Sequence, residues 1–201
     1  PPKPYPQTFP DNMKTHSANI QKPVRRFLPE DFALTDWRSI EPYFINLAER
    51  SISTAPALEK WLQDMSELEA IISEDVSWRH IRMTRNTEDK KLVDDFTYFV
   101  MEIQPKIHPF ADRLNRKFIA SPLTASLDQK KYFTYLRSVK KSIDLYREEN
   151  IPIQSELSIL SQQFGAISGK MSVEVNDHVY TLQQAMKFLE NPDRMLREQV
   201  Y

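Results

Sequence analysis

The sequence contains no cysteine, which excludes disulfides and thiolate metal sites and fits a reducing compartment. Only two glycines stand against fourteen prolines. That balance suits long helices, which tolerate few glycines, and half of the prolines fall before residue 30. Charge of one sign is also missing: Lys and Arg number 27 against 28 Asp and Glu, so no field would draw in nucleic acid or an anionic membrane. No run is long and apolar enough to span a bilayer, and the N-terminus lacks the charged-then-apolar pattern of a signal peptide. These absences predict a soluble, cytoplasmic protein whose length suffices for one domain or two small ones.

What is present is helical period. Residues 54–84 hold no glycine and one early proline, with Thr54 as N-cap and Pro56 in the first turn, where its missing N–H is no loss. Leu58, Trp61, Leu62, Met65, Leu68, Ile72, Val76 and Met83 form one stripe, and Ile71, Trp78 and Ile81 open a second on the far side. This predicts a helix about 45 Å long whose C-terminal half is buried on two faces as the central strut of a bundle. Before it, residues 1–29 are proline-rich, mildly basic and aperiodic, an extended arm whose end is tied down by Phe27, Leu28 and Phe32. Residues 35–50 give a first helix capped by Thr35 or Ser39, with Pro42 favouring the later start and Trp37, Ile40, Tyr43, Phe44 and Leu47 on its apolar face.

After a break at residues 86–89, a returning helix over 88–120 presents Leu92, Phe96, Phe99, Val100, Ile103, Ile107, Phe110, Leu114 and Phe118, with Pro105 and Pro109 expected to kink or interrupt it. Asp128 caps a helix over 129–149 that turns Tyr132, Leu136, Val139 and Ile143 inward. Another runs over 152–166 with Ile153, Leu157, Leu160 and Phe164 inside. The period then changes to two: Met171, Val173 and Val175 alternate with polar residues, and Asn176-Asp177 turns the strand back through residues 178–180. Thr181 caps a short helix over 182–189, and residues 191–193 cap a last one carrying Leu196 and Val200 with no local stop signal. The ending reads as a piece of a longer protein, and an apolar patch is expected near Val173, Leu196 and Val200.

Chemistry is hard to find. His16, His80, His108 and His178 are never three or four residues apart, so no helix presents two imidazoles to one ion; each reads as structural or superficial, with His80 the one expected to be partly buried. No Gly-x-Ser-x-Gly elbow occurs. Residues 165–170, GAISGK, imitate a phosphate loop but are one residue short, follow a helix and place Met171 where a hydroxyl should hold magnesium; the two glycines instead suit the end of a helix and the entry to the hairpin. Glu67 and Glu74 share a helix face, yet a di-metal bundle needs Glu-x-x-His partners that are missing. Lys130, Arg137 and Lys141 form a basic row, read as a solvated face paired with Asp144 and Glu148. Trp61, Trp78, Phe96, Phe99 and Tyr132 are expected in the core.

Three stretches together carry a resemblance: SELEAIISEDVSWRHIRMTRNTEDK at 66–90, YFTYLRSVKKSIDLYREENIPIQSEL at 132–157 and GAISGKMSVEVNDHVYTLQQAMKFLENPDRMLREQVY at 165–201. From about Phe27 onward the chain resembles the N-terminal region of oligoendopeptidase F, within the thimet-oligopeptidase-like zinc metallopeptidases. The hairpin, the Thr-Leu step and the Asp193, Arg194, Arg197 segment follow that family's order into a catalytic region. The resemblance implies a parent enzyme that hydrolyses short peptides in a deep channel with one zinc held by His-Glu-x-x-His and a more distant Glu. No such motif occurs in these residues, so the resemblance gives none of them a catalytic, cofactor-binding or metal role.

The expectation is therefore a mainly α protein, an antiparallel helical bundle with one long central helix and a small β-hairpin near the C-terminus. It divides into an arm (1–29), a helical lobe (30–167) and a hairpin with helices (168–201) leading into a catalytic domain. Its implied partners are that catalytic domain and short peptides, its implied cofactor is zinc in the parent, and the lobe alone should be inactive. A stand-alone helical interaction module is the alternative.

Overall fold

The structure, a computed structural model, describes residues 25–200. The first 24 positions of the proline-rich arm, with His16, lie outside the described residues. The strap that follows is held down: Leu28 and Leu34 are buried, and Phe27 and Phe32 both pack edge-on against Tyr43 at 5.5 Å.

Helix α1 (Trp37–Glu49) starts between the two positions the sequence offers, earlier than the one Pro42 favours. Its N-cap is Asp36, not Thr35 or Ser39; the Ser39 N–H donates to Asp36 Oδ1 at 2.9 Å and the Ser39 hydroxyl closes the reciprocal box. Pro42 is tolerated because the carbonyl its ring displaces belongs to Arg38, in the exposed first turn. Helix α2 (Ala55–Arg85) is capped by Thr54 as expected, with Pro56 at its second position.

The burial along α2 corrects the central-strut expectation. Leu58, Trp61, Leu62, Met65, Leu68 and Ile71 are buried, but Trp78 and Ile81 are half exposed, so the N-terminal half lies in the core and the C-terminal half is covered on one side.

The return runs through α3 (Lys90–Tyr98, capped by Asp89), a π turn (Phe99–Ile103) and α4 (Gln104–Ala120). The expected interruption is this π turn, placed just before Pro105, while Pro109 is carried inside α4. Ser121 ends α4 and a 3-10 turn (Pro122–Ser126) leads to α5 (Gln129–Leu145), four residues shorter than expected. The core lies between α1, the first half of α2, the π turn, α4 and α5. Trp37, Phe44 and Phe110 cluster at one end and Trp61, Phe118 and Tyr135 at the other.

Helix α6 (Asn150–Lys170) departs most from expectation. Ile153, Leu157, Leu160 and Phe164 are exposed, Ser155 is its buried residue, and Gly165 and Gly169 lie inside the helix rather than ending it. Strands β1 (Ser172–Val175) and β2 (His178–Thr181) pair antiparallel from Ser172↔Thr181 to Val175↔His178. Asn176 and Asp177 have φ of 52° and 61°, the left-handed pair that a two-residue type I′ turn demands. The hairpin rests on its own successors, α7 (Leu182–Ala185), a 3-10 turn (Met186–Glu190) and α8 (Arg194–Val200). Val175 and Ala185 are buried there, and Tyr180 meets Phe188 at 4.9 Å. Val173, Leu196 and Val200 are thus half-buried, and the large exposed apolar surface lies on α6 instead.

Candidate functional site

Three charged side chains, Arg79, Asp64 and Lys117, were not singled out by sequence reading, and each proves to be a fastening. Arg79 occupies the apolar stripe of α2, seven residues after Ile72 and four before Met83. Its Nε donates to Asp75 Oδ2 (2.6 Å), Nη1 to Asp95 Oδ1 (2.7 Å) and Nη2 to the Leu34 carbonyl (2.9 Å), while its guanidinium lies over the Phe99 ring. One residue thereby joins α2, α3 and the strap. Asp64, on the same stripe, is buried and accepts from Arg50 Nη1 (2.6 Å) and from Lys60. Lys117 donates to the carbonyls of Leu47, Ala48 and Arg50 at 2.6 to 2.9 Å, closing the C-terminus of α1. Burial, with the charges of Arg113 and Arg50, lowers its pKa. The signal for all three was a charge at an apolar stripe position.

Two open clefts border the lobe. One, of about 910 Å³, lies between the strap, α2 and α5 and is walled by Glu59, Glu67, Glu69, Tyr132 and Tyr135 among others. Glu67 is committed there: its carboxylate accepts the backbone N–H groups of Arg26, Phe27 and Leu28 at 2.9 to 3.0 Å. Desolvation works against the charged form, but those three donors outweigh it and leave the pKa below the ordinary carboxylate value. Glu69 keeps contact with solvent, yet partial burial raises its pKa, and burial with the nearby Glu69 charge pushes the Tyr135 phenol well up. Tyr132 Oη donates to Glu59 Oε1 at 3.1 Å. With Glu67 occupied by backbone donors, Glu67 and Glu74 do not form a metal pair.

The second cleft, of about 1060 Å³, separates the end of α2 and the α2–α3 turn from α6. Ser158, Ser161, Gly165 and Gly169 line the α6 side, His80 and Phe96 the other, and Lys170 approaches Glu88 across its mouth at 3.6 Å. Among the described residues, no serine or threonine hydroxyl in either cleft is hydrogen-bonded to a histidine ring or a carboxylate.

His80 is exposed, against expectation, with its ring 5.4 Å from Phe96; His108 is the half-buried histidine, and burial lowers its pKa. His178 is exposed on the hairpin, its Nδ1 2.8 Å from the Asn176 carbonyl. Trp78, expected in the core, lies at the surface beside Arg82. Among the described residues no group of three His, Cys, Asp or Glu side chains could hold a metal ion. The Lys130, Arg137, Lys141 row is exposed, but no ion pair among the described residues joins it to Asp144 or Glu148; the pairing on that helix is between Lys131 and Glu59. Arg194 and Arg197 bond locally, to Glu198 and to the carbonyls of Asn191 and Pro192. No helix among the described residues is long and apolar enough to cross a membrane.

Comparison with known proteins agrees with this architecture. The X-ray structure of a protein described as oligoendopeptidase F superposes with a TM-score of 0.75 at 19% identity, covering 88% of this chain and 32% of that one. This chain therefore spans about a third of that protein's length. No curated protein matches the sequence significantly. The model of the Peptidase M3 N-terminal domain matches residues 27–146, from the strap that Glu67 clasps to the end of α5, and it is to this family that the chain belongs.

Proposed function

We propose that this chain is the N-terminal helical lobe of a zinc-dependent oligopeptidase and forms one wall of the channel that admits short peptides. The observation that carries the reading is the family match over residues 27–146, joined to a fold likeness that takes in 88% of this chain but only 32% of an oligoendopeptidase F. In this reading residues 1–29 are an arm, 30–167 the lobe, and 168–201 the passage into a catalytic region.

In this reading the metal is held in that other region and no step is assigned to residues of this chain; among the described residues no group of three His, Cys, Asp or Glu side chains is placed to hold one. The lobe's contribution is steric. A rigid wall, fastened by Arg79, Asp64 and Lys117, excludes folded chains while leaving room for an extended peptide. The parent enzyme is expected to work in the cytoplasm.

The test is to express the complete reading frame and assay metal content and hydrolysis of internally quenched oligopeptides. Stoichiometric zinc, turnover abolished by a chelator and restored by zinc, and no turnover by residues 1–201 alone are expected. A reading frame without His-Glu-x-x-His would overturn the proposal and favour a stand-alone interaction module.

A further inference from the structure

Helix α6 is not composed like a surface helix. Between Ile153 and Gly169 it carries a single charge, Glu156, whereas the slightly shorter α5 carries Lys130, Lys131, Arg137, Lys140, Lys141 and Asp144. Solvent-facing helices keep roughly a quarter of their residues charged for solubility. Yet Ile153, Leu157, Leu160, Phe164 and Ile167 stand half or more exposed, with Phe164 at 72%.

Their spacing is informative. Steps of four, three, four and three residues, continued by Met171 four further on, trace the narrow seam that meets another helix side by side. Ser155 and Gln162 tie the other side of α6 to the π turn and α3, and of the seam only Leu157 borders the cleft, so most of this face is turned away from its own lobe.

We infer that the exposed seam of α6 is the docking surface for an amphipathic helix supplied by the downstream part of the same polypeptide. The inference rests on the reading above that a larger chain continues this lobe. Three observations select that occupant. The fold-matched protein has about two thirds of its length outside the matched region. The seam runs into the hairpin segment through which the chain proceeds, where Val179, Met186 and Met195 are also exposed, so the uncovered apolar surface is continuous in sequence toward the downstream side. A second copy fits less well, because residues 153–171 span under three heptads, too short for a stable coiled coil between free chains. A tethered helix gains from its high effective concentration.

The experiment is carbene footprinting of the full-length protein, with matched residues as internal standards. Phe164 is compared with Phe133 (63% exposed) and Leu160 with Leu145 (66% exposed). Labelling of Phe164 and Leu160 several-fold below their standards, unchanged on dilution, is expected. Equal labelling would overturn the inference, as would protection that disappears when the protein is diluted to a monomer, which would assign the seam to a second copy. Zinc content and peptide turnover measured on the same preparation separate the two readings: an active zinc enzyme with freely labelled Phe164 sinks only this inference, and a protected Phe164 in a metal-free, inactive protein sinks only the functional one.

Discussion

Glu67 gives one carboxylate to three successive backbone N–H groups, and its loss should release the strap without unfolding the lobe. Glu67→Ala is expected to cost ~1 kcal/mol, the clasp being largely open to solvent, and to accelerate amide exchange at Arg26, Phe27 and Leu28. Because its pKa is lowered in the folded state, the clasp contributes fully above the unfolded value of 4.5 and is lost as pH falls through the lower folded value. Wild-type exchange at those amides should therefore rise on acidification below pH 4.5, and the variant should show no such step; a step in both would place the titration elsewhere. Arg79 is the opposite case, a buried charge rather than a clasp. Arg79→Met strands Asp75, Asp95 and the Leu34 carbonyl together, and a loss of about 3 kcal/mol in urea unfolding is expected. Arg79→Lys should recover only part of it, since one ammonium cannot span three acceptors set around a planar fork.

At the scale of elements, the attachment of α6 follows from a proline. In the π turn the Gln104 N–H reaches the Phe99 carbonyl, five residues back, and the next donor in that pattern, toward Val100, would be Pro105, which has none. Ser155 Oγ donates to the Val100 carbonyl instead, at 3.3 Å, and Ser155 is the buried residue of α6. Ser155→Ala should then destabilise by ~1 to 2 kcal/mol and loosen α6 selectively, visible as faster exchange over residues 150–170 than over α4. The glycines of α6 act in the other direction: an added Cβ at Gly165 or Gly169 meets nothing within 4 Å and neither has a positive φ. Gly165→Ala should raise stability by ~0.5 to 1 kcal/mol, read as an increase in Tm. The sequence made α2, the Asp128 cap and the Asn176-Asp177 turn legible because each depends on local periodicity or local hydrogen bonds, whereas it put Asp89 in the first turn of the returning helix rather than at its cap. It misplaced α6 because periodicity reports that a face is apolar but not which body covers it. The candidate clefts were illegible for a related reason: they form where helices stand apart, while the clasp of Glu67 joins residues about forty positions distant.

At the scale of the molecule, stability and association should part company. The core around Trp61, Phe99, Leu114 and Phe118 is buried within the lobe, and Asp64, Arg79 and Lys117, which fasten it, each have partners, so residues 1–201 are expected to unfold cooperatively. The seam on α6 adds little to that transition, because its side chains already face solvent in the folded state. It should instead govern colloidal behaviour, since an apolar stripe of this size is the kind of surface that soluble monomers avoid exposing. The lobe alone is thus expected to associate weakly and reversibly as its concentration rises, and Leu160→Asp combined with Phe164→Asp should abolish the association with a change in Tm of no more than a degree or two. That limit follows because surface substitutions are usually within about 0.5 kcal/mol of neutral. Sedimentation velocity across a concentration series, paired with thermal unfolding of both proteins, checks the two halves together. Association that persists in the double variant would move the sticky surface to Trp78 and Ile81 on α2, and a large fall in Tm would mean that the seam is packed within the lobe itself.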